Sequence, residues 1–174
     1  DVGQPIEGRT FAGLDGVFHA IPGQASGSLD GTMDGMPAKL TFALPFGATP
    51  VGTRSLEAEL KVPSAKLVDL VPALSGVVKG PIAARVTDDS DGLHAKLDLG
   101  QTELDLPAIA WKKGAGVPAD LAFVVRRDGD TTQLDKLELK GDGFQARGSL
   151  SVDKRGLRSA ALTRVALNPG DDVS

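Results

Sequence analysis

The residues able to do chemistry are few and fall in short, separate stretches. Ser151 and Lys154 stand at Ser-x-x-Lys spacing, which on a helix sets an amine one turn from a nucleophilic hydroxyl. Here the run leaves an alternating segment and enters Asp153-Lys154-Arg155-Gly156, a turn sequence, so a solvated turn is expected instead. His19 and His94 lie on separate alternating segments, with no second histidine or clustered carboxylate at ligand spacing, and read as ordinary strand residues. Thr87-Asp88-Asp89-Ser90-Asp91-Gly92 has the look of a calcium loop. Aligned on Gly92, however, it puts Thr87 at the first position and Asp98 rather than glutamate at the twelfth, so a hairpin is expected. Glu57 and Glu59 recur on a polar face that solvation explains. The expectation is a non-enzymatic chain without metal or cofactor.

The most distinctive chemistry is Trp111-Lys112-Lys113, the only tryptophan in a chain without tyrosine, followed by a Gly-rich exit to Val117-Pro118. The sequence places Trp111 at a strand-to-loop junction, where an indole can cover the end of a sheet while Lys112 and Lys113 face water or lipid phosphate.

Composition narrows the partners. The 174 residues carry 19 basic and 23 acidic side chains, interspersed, for a net charge of −4, which offers no field for nucleic acid. Zero cysteines exclude disulfides and thiolate metal sites. Apolar runs of a few residues fall far short of the ~20 needed for a membrane-spanning helix. Six phenylalanines and one tryptophan are too few for the aromatic girdles of a transmembrane barrel or the platforms of a sugar-binding domain.

Period-two alternation dominates the elements that must position these residues. Leu40, Phe42, Leu44 and Phe46 alternate with Thr41, Ala43 and Pro45, and Leu56, Ala58, Leu60 and Val62 with Glu57, Glu59 and Lys61. Strands are expected near 15–21, 25–33, 38–46, 53–62, 77–87, 92–99, 101–106, 118–127, 132–140, 143–152 and 157–167. One short helix is expected over 64–72, opening at Ser64. Asp-Gly pairs at Asp15, Asp30, Asp34, Asp91, Asp128 and Asp142 predict hairpin turns, hence antiparallel pairing. The fold class is mainly β: a long curved antiparallel sheet, open and trough-like, forming a single segment over 1–174.

The stretch from Thr102 through Val125, with the Trp111-Lys112-Lys113-Gly114 element and Val117-Pro118, and the run from Leu139 to Gly148 with its restart at Gly156-Leu157, resembles the C-terminal-type region of the AsmA-like family, the group containing YhdP and TamB relatives. The likeness covers about residues 53–174. It implies a bridge-like lipid transport protein, anchored to the bacterial inner membrane by parts outside this chain, projecting into the periplasm and contributing to phospholipid movement and outer-membrane integrity. Asp1 at the start and Asn168-Pro169-Gly170 near the end suit a piece of such a longer protein.

On that reading Leu56, Leu60, Leu97, Leu99, Phe123, Phe144, Leu150 and Val165 contact phospholipid or another acyl lipid, and Trp111, Lys112 and Lys113 meet the headgroup. The competing expectation is a structural β spacer or interaction module whose apolar face is closed by its own packing. Terminal strands near 15–21 and 157–167 should be unpaired and invite an edge-strand dimer of the isolated piece.

Overall fold

The computed structural model describes residues 10–70, 75–89, 92–107, 111–153 and 156–166. The alternating segments fold as strands: β1 (Phe11–Ile21), β2 (Gln24–Met33), β3 (Met36–Pro45) and β4 (Ser55–Pro63), then helix α1 (Ser64–Leu70). They continue as β5 (Val78–Lys79), β6 (Pro81–Asp89), β7 (Gly92–Asp98), β8 (Glu103–Leu106), β9 (Trp111–Lys113), β10 (Ala119–Asp128), β11 (Thr131–Gly141), β12 (Phe144–Asp153) and β13 (Gly156–Ala166). Ten strands form one antiparallel sheet in the order β1-β2-β3-β4-β6-β7-β10-β11-β12-β13, not closed into a barrel. β5, β8 and β9 form a separate three-stranded sheet. Two compact units emerge, Asp1–Lys61 with Arg85–Leu93 and Val62–Ala84 with His94–Ser174.

Several expectations need correcting. The strand expected over 77–87 is two strands in two sheets, because Gly80 turns the chain at φ 95°, where a Cβ would meet the Gln101 carbonyl oxygen at 2.9 Å. Asp15-Gly16 and Asp30-Gly31 are not turns but lie inside β1 and β2, with Asp15 opposite Asp30. The real turn between these strands is Pro22-Gly23, closed by Ile21 opposite Gln24. Gly16 is glycine for another reason: a Cβ there would stand 2.1 Å from the Ser28 carbonyl oxygen. Asp34-Gly35 is a turn as expected, with φ of 51° and 77°. Asp142-Gly143 is another, closed by Gly141 opposite Phe144. Asp91 and the end of the expected helix, at 71–72, lie outside the described residues, as does Lys154.

Period two also fails once, instructively. Leu134 and Leu137 are three apart, yet they pair with Leu150 and Gly148, which share one face of β12. A bulge resets the alternation at Lys136, whose φ is 51°. A side chain in that left-handed conformation costs roughly 1 kcal/mol. Lys136→Gly should therefore raise stability by about that amount in urea titration, with the slope of the transition unchanged.

Candidate functional site

In the second unit, β10 to β13 set their apolar residues in rows across the sheet. Ala119, Gly141 and Phe144 form the first, and Leu121, Leu139, Ala146 and Val165 the second. Leu137, Gly148 and Leu162 form the third, and Val125, Leu134, Leu150 and Ala160 the fourth. Phe123 projects on this face between Leu121 and Val125. Solvent exposure varies among these rows, and within the third it differs most between Leu137 and Leu162 on the edge strand β13. Phe144 is 3% exposed and Leu137 7%, the fourth-row leucines are half-buried, and Leu162 is 49% exposed.

The three-stranded sheet covers the first of these rows. Val78, Leu104 and Lys113 are directly opposite one another across β5, β8 and β9 and all three are buried. Trp111, two residues from Lys113, shares their face. Val78 and Leu104 pack with Ile82, Leu99 and Ala119, flanked by Leu67, Leu97, Trp111, Leu121 and Leu139. The indole stacks on the Phe144 ring at 4.5 Å between centroids and 25° between planes. Gly141 gives it room, since a Cβ there would stand 3.1 Å from the indole Cζ2. Trp111 is thus the cap over the first row.

Lys113 corrects an expectation. It does not face water or phosphate but is 5% exposed, its Nζ donating to the carbonyl oxygens of Leu99 (2.7 Å), Thr102 (2.6 Å) and Gly114 (3.1 Å). An ammonium has three protons to donate, and here three carbonyls accept. Burial lowers its pKa from the ordinary lysine value, opposed by the Asp98 carboxylate. Leu99 and Thr102 belong to a tight turn in which Thr102 is fully buried, its N–H donating to Leu99 O and its hydroxyl to Pro81 O. Lys112, one residue earlier, points the other way and pairs with Asp105 at 2.7 Å, exposed. Of the three headgroup candidates, only Lys112 presents its charge to solvent.

The lining candidates therefore divide. Leu97, Leu99 and Phe144 come together beneath Trp111, covered by the chain itself. Phe123, Leu150 and Val165 share the second unit's apolar face beyond that cap and are half-buried. Leu56 and Leu60 belong to the first unit, where Leu56, Phe42, Gly27 and Phe18 form a row and Leu60 lies opposite Ala38. Phe42 lies against Gly27 and reaches the Phe18 ring at 6.1 Å. Leu134 and Val125, not among the candidates, complete the half-buried fourth row, while Leu137 is buried; the signal for the two leucines was their three-residue spacing at the bulge.

The opposite faces carry ion pairs. Arg85 binds Glu59 and lies near Glu57. Glu138 accepts from Arg147, then Lys140, and both hold its carboxyl below the usual range. Ser151 lies in β12 and His19 and His94 in β1 and β7, on strands as expected. No protein-family model, curated protein or solved structure matches the chain, which leaves the apolar rows and their cap as the grounds for a functional reading.

Proposed function

We propose that this chain is a non-catalytic, acyl-lipid-binding β segment of the AsmA-like kind, working in the periplasm as part of an inner-membrane-anchored protein. Phospholipid is its cargo. The observation that carries the reading is the fourth row, Val125, Leu134, Leu150 and Ala160. With Leu162 beside it, it stays half-buried or exposed and lies outside the apolar cluster that Trp111 covers. Across four strands the row spans about 14 Å. Each methylene of an acyl chain fully buried there would contribute about 0.8 kcal/mol. On the reverse face of these strands Glu138 is paired with Arg147 and Lys140, which leaves the apolar side as the one suited to a lipid tail.

The covered first row favours a second reading, a structural spacer closed by its own packing, because the Trp111–Phe144 stack fills the place where a tail would lie. Native mass spectrometry and lipid extraction after purification from cells separate the two. The lipid reading expects a co-purifying acyl lipid. A lipid-free protein that also takes up no fluorescent acyl probe supports the spacer.

A further inference from the structure

β1 stands at one end of the ten-strand order, and all its residues after Phe11 are exposed, Val17 at 57% and Phe18 at 61%. Natural edge strands are commonly guarded by Lys, Pro or bulges; β1 has no Lys, Arg or Pro, and its bulge, between Ala12 and Asp15, leaves the stretch from Asp15 to Ile21 regular. The strand at the other end, β13, carries Arg158 and Arg164. Self-pairing of β13 about Ala161 would set arginine against arginine.

The two-residue turn Pro22-Gly23 fixes which backbone groups of β1 are free. Ile21 opposite Gln24 is the closing, hydrogen-bonded pair, and the register is regular back to Asp15. The odd-numbered residues therefore bond β2, and Gly16, Phe18 and Ala20 turn their N–H and C=O outward. Side chains of Asp15, Val17 and His19 share one face. On that face Asp15 lies opposite Asp30, Asp30 opposite Lys39 and Lys39 opposite Glu59, which Arg85 binds. Charge alternates along this line except at its outer end, where two carboxylates adjoin and the position beyond Asp15 calls for a donor.

We propose that a second copy of the chain adds its β1 antiparallel to this edge, about a two-fold axis through Val17. That register sets His19 of each copy opposite Asp15 of the other, supplying the missing donor twice. An imidazole can donate N–H to a carboxylate in either protonation state. Phe18 falls opposite Gly16, so a ring covers a glycine, as Phe42 does over Gly27 within the sheet. Gly16 and Phe18 then exchange their outward backbone bonds across the axis. The pairing does not depend on lipid binding.

Sedimentation velocity of the 174-residue chain over a concentration series, with hydrogen exchange read at Gly16 and Phe18, tests the pairing. The expected result is a dimer that protects those two amides. Asp15→His sets histidine against histidine and His19→Asp sets aspartate against aspartate, and each should weaken association about tenfold through the two symmetric pairs. The double exchange, Asp15→His with His19→Asp, should restore it, with circular dichroism confirming that every variant is folded. A chain that stays monomeric, a dimer indifferent to the single exchanges, a double exchange that fails to restore, or protection at β13 instead of β1 each overturns the proposal.

Discussion

Lys113→Met should destabilise the second unit by about 3 kcal/mol in chemical denaturation, while Lys112→Met next to it should change stability by less than about 0.5 kcal/mol. The two lysines are adjacent and chemically identical, so burial alone separates them. Lys113 is 5% exposed and satisfies three carbonyls, and its removal leaves Thr102 O buried without the donor it now has. Leu99 O keeps the Thr102 N–H, which limits the loss. Lys112 makes one ion pair in water. The pH dependence has a definite sign. Burial lowers the folded-state pKa of Lys113, so between that value and the unfolded one the unfolded chain binds the proton more strongly. The stability gap between wild type and Lys113→Met should widen as pH rises through this window, and a gap that narrows would contradict the burial argument.

Trp111→Ala should cost about 3 kcal/mol, near the lower end for an aromatic truncated in a core, since the indole is half-buried rather than enclosed. Its removal uncovers Phe144, now 3% exposed, and deletes the ring that bridges the small sheet to the first row. Trp111→Phe should recover roughly half the loss, because a smaller ring can still stack on Phe144. Equal stability of the alanine variant and the wild type, from urea titration, would show that the cap is ornamental. The same variant bears on function. Under the lipid reading, uncovering the first row extends the apolar face and should not reduce acyl-probe binding, provided the chain stays folded.

The strands were legible because half-burial writes itself as alternation. Leu56, Ala58, Leu60 and Val62 are all buried and their neighbours are not. The antiparallel order followed from Asp34-Gly35 and Asp142-Gly143, while Asp15-Gly16 misled because the same dipeptide also serves a close backbone approach within a strand. The three-stranded sheet was not legible. β5 and β9 are two and three residues long, too short for a period to show, and they pair with β8 across gaps in sequence. With 111–113 taken as a loop, both lysines belonged in solvent. As a strand, the same three residues alternate inward, outward, inward, which half-buries Trp111, buries Lys113 and exposes Lys112. A lysine at an inward position is unexpected on composition alone. What accommodates it is a cluster of backbone carbonyls supplied by Leu99, Thr102 and Gly114, and no local pattern announces that.

The central claim is that the uncovered rows beyond Trp111 hold an acyl chain, and its most direct test is titration of the purified chain with a fluorescent fatty acyl probe. Leu150→Asp and Leu162→Asp are compared with Lys61→Glu on the polar side. Leu162 is 49% exposed, so a charge there leaves the fold intact yet lies in the path of a tail. At Leu150 an unpaired carboxylate beneath a bound tail is desolvated at a cost of a few kcal/mol. Saturable binding is expected for wild type and Lys61→Glu, with at least a tenfold loss in both aspartate variants and their circular dichroism unchanged. Binding by folded Leu150→Asp and Leu162→Asp as tight as wild type, or no binding by any of the four, would contradict it.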